Sequence, residues 1–144
     1  KLEPLASLVR LRHLYLERND LNGTQLLPLK NLNVLRSLSL RRNRVDDVSA
    51  LKNMTRMNWL ELNDNRVPSV APLAGMTALE KLYLENNRVT ELAPLVNLKV
   101  LRELQARGND ISNEQSSLLI KALPDCRIHA GVFSTIPTRK PKNK

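Results

Sequence analysis

Two kinds of side chain in this sequence could do chemistry. Cys126 and His129 form a C-x-x-H pair, which is half the ligand spacing of a zinc site. The chain has no other Cys and only one other His, His13, near the opposite end. A four-ligand centre therefore has no remaining donors of this kind, and Cys126 reads as a small apolar residue in a core. Carboxylates cluster in the middle, at Glu61, Asp64, Glu80 and Glu85. Two carboxylates held close could serve as a glycosidase-like acid and base or as a cation site. The four Gly are scattered, without G-x-G-x-x-G or G-K-[ST], so no phosphate-cradling loop is present. Tyr15, Trp59, Tyr83 and Phe133 are the complete set of aromatic residues. Whether any of these groups meet depends on the elements that carry them.

Those elements follow from a compositional bias. Of 144 residues, 29 are Leu and 15 are Asn. Asn recurs in one setting, at Asn19, Asn43, Asn65, Asn87 and Asn109, first after 24 residues and then after 22 each time. Each Asn closes a frame L-x-x-L-x-L-x-x-N, as in LRHLYLERN, LRSLSLRRN, MNWLELNDN, LEKLYLENN and LRELQARGN. A sixth, degenerate frame is LPDCRIHAG, residues 123–131, with Cys126 and Ile128 at the inward positions. An apolar residue stands two places after each Asn, at Leu21, Val45, Val67, Val89 and Ile111. Further apolar positions precede each frame, as Val70, Leu73 and Met76 do before Leu79.

This pattern resembles the leucine-rich repeat family over almost the whole chain. The 22-residue period and the A-P-L segments Ala71–Leu73 and Ala93–Leu95 are most similar to bacterial internalin-type repeats. A eukaryotic phosphatase-regulator class has a similar repeat length. The resemblance implies an α/β solenoid: a right-handed coil with a parallel, concave β-sheet, an irregular or 3₁₀ convex side and a C-terminal helical cap. It also implies a non-enzymatic protein-binding module, and an exported setting at the cell surface or in the periplasm.

The physics of the frame agrees. Leu82 and Leu84 and their equivalents alternate inward along a short strand while the intervening residues face outward. Each repeat buries its apolar residues against its neighbours. The amide of the recurring Asn carries donors and an acceptor, and a stacked column can satisfy backbone groups orphaned at a turn. Segments such as DDVSALKNM and PSVAPLAGM are too short and Pro-broken for full helices, so 3₁₀ turns or extended chain are expected. The longer first interval holds Asn22-Gly23, a turn pair, and a small protrusion is expected there. SNEQSSLLIKAL reads as a helix capped by Ser112 or Asn113. Leu2, Leu5 and Leu8 hold the register of a half repeat with no N-terminal cap before them. Val132, Phe133 and Ile136 are expected to cover the last coil. The expected organisation is a repeat domain over residues 1–138, about five full repeats and a degenerate capping repeat, then a basic disordered tail over 139–144.

The outward positions then identify a surface. Tyr15, Trp59 and Tyr83 face away from the core, where aromatics serve as interface anchors. The first two frames present Arg12, Arg18, Arg36, Arg41 and Arg42, the middle two are acidic, and the last two are mixed. Such a sequence of charge suits a complementary protein surface and poorly suits a uniform polyanion. On a flat solvated face, neither a substrate pocket nor desolvation is available to the carboxylates, which argues against catalysis. Arg44, Arg66 and Arg88 line one edge, either as a contact strip or paired with Asp46, Asp47 or Asp64. The expected partner-binding residues are Tyr15, Arg42, Trp59, Glu61, Tyr83 and Glu85, with no catalytic, metal or cofactor residues and no cofactor. The partner is a protein of unspecified identity. The alternatives are a polyanion (nucleic acid or acidic polysaccharide) held by the Arg edge and basic tail, or a structural segment of a larger surface protein. The net charge of +9 gives the polyanion alternative its weight. No apolar run reaches the ~18 residues of a membrane span, and oligomeric state is left open.

Overall fold

A computed structural model describes residues 1–131 and the backbone of residues 133–134. Each frame forms a short strand: β1 His13–Tyr15, β2 Ser37–Ser39, β3 Trp59–Glu61, β4 Lys81–Tyr83, β5 Glu103–Ala106 and β6 Arg127–Ala130. They pair in parallel, each with the next repeat's strand, in one open sheet. A seventh strand, β7 (Phe133–Ser134), runs antiparallel to β6 and pairs its outer edge. The register stacks Leu14, Leu38, Leu60, Leu82, Leu104 and Ile128 in one inward column. All but Leu14 are buried, and Leu40, Leu62, Leu84 and Ala106 bury a second column beside them. Leu8 departs from the expected inward register. It is 45% exposed, whereas its equivalents Leu32, Met54, Met76 and Leu98 are fully buried. Among the described residues a coil covers it on one side only.

The return side is built of 3₁₀ helices at Ser49–Leu51, Ala71–Leu73 and Ala93–Leu95. Strands stack ~4.8 Å apart, while an α-helix is about 10 Å wide. Successive full helices would force the coil to curve steeply, and the narrower 3₁₀ turn avoids this. The single α-helix among the described residues, α1 (Asn113–Ala122), lies on the terminal coil. Ser112 is its cap, with Oγ accepting from the Gln115 N–H. The first interval does not form a loose protrusion. Its extra residues extend a six-residue 3₁₀ helix, Thr24–Leu29, closed by reciprocal Asn22 and Gln25 hydrogen bonds. Gly23 is buried against Asp47: an added Cβ would lie 2.6 Å from Asp47 Cβ and 2.8 Å from its carbonyl oxygen. Only Gly fits there. The expected cover from the Val132, Phe133 and Ile136 side chains, and the tail 139–144, lie outside the described residues.

The Asn column does what its chemistry suggests. Asn87 Oδ1 accepts from Val67 N–H at 2.9 Å, while its Nδ2 donates to the Leu62, Leu84 and Glu85 carbonyls. Asn65 and Asn109 repeat the arrangement one coil away on either side. Asn43 accepts from both Asn19 N–H and Leu21 N–H. Leu40, Leu62 and Leu84 carbonyls each accept from two successive Asn residues, so the column is one continuous ladder. The residue before each ladder Asn is left-handed: Arg18, Arg42, Asp64, Asn86 and Gly108 have φ of 55–70°. That turn swings the chain off the sheet, and Asp, Asn and Gly adopt it most readily.

Candidate functional site

The strand face carries the aromatics in mutual contact. Trp59 is opposite Lys81, and Tyr83 is opposite Glu61, so the two rings meet diagonally across β3 and β4. Their centroids are 6.1 Å apart with planes at 88°, an edge-to-face contact. Tyr15 joins them from two strands away, 6.2 Å from Trp59 and tilted by 54°. Its reach depends on the small residues of β2, Ser37 and Ser39, which lie between. Ser39 is fully buried although it occupies an outward position, and its Oγ donates to Glu61 Oε2 at 2.9 Å. The row thus spans four strands. Tyr15 is 59% exposed, and Trp59 and Tyr83 are half-buried. Burial pushes the Tyr83 hydroxyl pKa up, and the nearby Glu103 carboxylate adds to the shift.

Charged groups rim the row. Arg41 and Arg42 both bring Nε within 3.5 Å of Asp64 Oδ2, and Arg41 lies 3.9 Å from Glu61. Asn86 Nδ2 donates to Asp64 Oδ1 at 2.7 Å. That hydrogen bond is the main cause of a lowered Asp64 pKa, with smaller help from Arg41 and Arg42. Glu85 is half-buried at the exit of β4, and its N–H is held by Asn63 Oδ1. Glu80 stands apart at the entrance to β4, 4.0 Å from Arg102. The middle carboxylates are therefore distributed between two ends of the strands, and Glu61, Asp64 and Glu80 are partnered by arginines. No group of three or more His, Cys, Asp or Glu is gathered for a metal among the described residues.

The Arg edge is paired differently from the sequence alternatives. Arg44 meets Asp20 at 3.1 Å, while Arg66 and Arg88 are exposed and form no ion pair among the described residues. Asp46 instead accepts from Gly23 N–H, and Asp47 from Ser49 N–H and Oγ. Backbone donors at the turns have claimed both carboxylates. Cys126 is buried, and burial pushes its thiol pKa up to about 12. The sequence reading placed Tyr15, Trp59 and Tyr83 together on the outward face. What it did not foresee is the Tyr15–Trp59 ring contact, for which two serines at the intervening outward positions were the available signal.

Short parallel strands, a 22-residue coil and a buried Asn ladder together define a leucine-rich repeat solenoid. Family models described as leucine rich repeats match residues 55–97, in two copies, and residues 10–32. An internalin of Listeria monocytogenes is 31% identical and superposes with a TM-score of 0.83, covering 91% of this chain and 37% of its own. Internalin C2 of the same organism is 25% identical with a TM-score of 0.83, covering 90% of this chain and 55% of its own. A leucine-rich repeat protein of Leptospira interrogans is 25% identical with a TM-score of 0.64, covering 69% of this chain and 26% of its own. No curated protein matches the sequence. The chain is a leucine-rich repeat solenoid whose repeats are similar to those of the internalins, and it spans about a third to a half of the two internalins. Leucine-rich repeat proteins are generally protein-interaction modules. No helix among the described residues is long and apolar enough to cross a membrane.

Proposed function

We propose that this chain is a non-enzymatic module that holds a protein partner on its strand face. The observation that carries this reading is the row Tyr15–Trp59–Tyr83, in ring contact across four strands and open to solvent at Tyr15. Aromatics that stiffen one another lose little side-chain entropy on binding, which makes them efficient anchors. Trp59 and Tyr83 supply the anchor, Tyr15 extends it, and Arg42, Glu61 and Glu85 supply charge of both signs at the rim. Mixed charge favours a protein over a polyanion, because Glu61, Asp64 and Glu85 lie inside the footprint and repel phosphate or sulfate.

The test is capture of partners at physiological salt after nuclease treatment, with wild type beside the Trp59→Ala, Tyr83→Ala double variant. A bound protein lost in the variant supports the reading. Retention by the variant at equal affinity refutes it. Binding that disappears with nuclease, or falls steeply with salt in both proteins, marks a polyanion instead.

A further inference from the structure

The return side bears an apolar groove of about 720 Å³ between α1 and Val96, which follows the 3₁₀ helix Ala93–Leu95. Leu118 stands in it 42% exposed. Along α1 the bordering stripe is Glu114, Ser117, Leu118 and Lys121, one face of a helix at i, i+3, i+4 and i+7. An acid lies near its N-terminal end and a base near its C-terminal end. Suppose a second copy of this helix is laid antiparallel about a two-fold axis between Ser117 and Leu118. Glu114 then faces the copy's Lys121 at one end, and Lys121 faces the copy's Glu114 at the other. At the centre each Leu118 meets the small Ser117 of the other helix, and Asn113 meets Ala122 at the ends. An isologous interface requires a patch that complements itself, and this stripe does so in both charge and size.

We propose that the chain self-associates as a two-fold dimer through α1, each Leu118 packing beside the other copy's Ser117 in the groove that Val96 borders. This surface lies away from the aromatic row, so the proposal stands independently of the strand-face reading. Two ten-residue helices, each about 15 Å long, offer less than the ~800 Å² per partner of a standard interface. Association is accordingly of the weak, transient kind.

Sedimentation velocity over a concentration series tests it, at ~0.15 M salt to screen repulsion between chains of net charge +9. The weight-average mass of the wild type is expected to rise toward twice the 16.4 kDa chain mass. Leu118→Glu, Glu114→Lys alone and Lys121→Glu alone are each expected to weaken association at least about tenfold. An equimolar mixture of Glu114→Lys and Lys121→Glu is expected to restore it, since each new charge then faces an opposite charge at both ends. Circular dichroism confirms that each variant keeps its fold. The proposal is overturned by a wild type that stays at monomer mass up to roughly 1 mM, where a weak isologous contact is populated. It is also overturned by association that survives either charge reversal, or by a mixture no better than its components. Capture of a different protein at this groove, abolished by Leu118→Glu while the wild type remains monomeric, overturns it as well.

Discussion

Replacing Asn87 by Ala isolates what the ladder contributes. Asn87 is 9% exposed and makes four hydrogen bonds. The Leu62 and Leu84 carbonyls each keep a second donor, from Asn65 and Asn109, so their loss is partial. Val67 N–H loses its acceptor while Val67 itself is fully buried. An unsatisfied buried donor costs about 1–3 kcal/mol, and the weakened carbonyl bonds add about 0.5–1 kcal/mol. The sum is about 1.5–4 kcal/mol. In urea, with a slope of about 2 kcal/mol per molar for a chain this size, the midpoint falls by about 1–2 M. Asn19 is the control, since it is exposed and its own side chain makes a single bond, to the Glu17 carbonyl. Its Ala variant is expected to lose no more than about 1 kcal/mol. Asn87→Asp keeps the acceptor but turns a carboxylate toward the Leu62 and Leu84 carbonyls, and is expected to be at least as damaging as Asn87→Ala. Equal midpoint shifts for Asn19→Ala and Asn87→Ala would refute the reasoning, because burial and bond number would then not set the effect.

Three further outcomes are expected. Gly23→Ala drives a Cβ into the Asp47 backbone and should cost about 2–4 kcal/mol, whereas Gly75→Ala, whose nearest neighbour is 3.8 Å away, should be neutral or stabilise by about 0.4–1 kcal/mol in the same melts. The Asp64 carboxyl has a folded pKa below its unfolded value, so it contributes stability that is present above the unfolded value, 3.8, and lost as pH falls through the folded one. Asp64→Asn, which tolerates the φ of 59° there, should therefore be less stable than wild type near neutral pH and match it in acid, as checked by urea melts across pH. Cys126, with its thiol pKa raised to about 12, should resist a disulfide reagent at pH 8 in the folded chain and react fully in denaturant.

The register of the solenoid was legible because its code is local and repeated. Leu at fixed offsets names the inward columns, and Asn names the point where the chain leaves the sheet. Ser112 before NEQSSLLIKA marks the start of α1 by ordinary capping chemistry. The short A-P-L returns follow from Pro and from the narrow spacing of stacked strands. Sequence also placed Tyr15, Trp59 and Tyr83 on the outward face, since alternation along a strand and a fixed period determine which residues share a face.

Other features were decided only by neighbours from different repeats. The burial of Gly23 against Asp47, and the capture of Asp46 by Gly23 N–H, depend on two turns one coil apart meeting in space. Arg44 selects Asp20 rather than the Asp residues nearest in sequence because backbone donors have already bound those. Tyr15 reaches Trp59 because both outward positions of β2 are Ser, leaving room for a ring to lean across a whole strand. The repeat period sets which side chains are stacked. The sizes and partners of the side chains between them set what the stacked surface becomes, and that is a tertiary property.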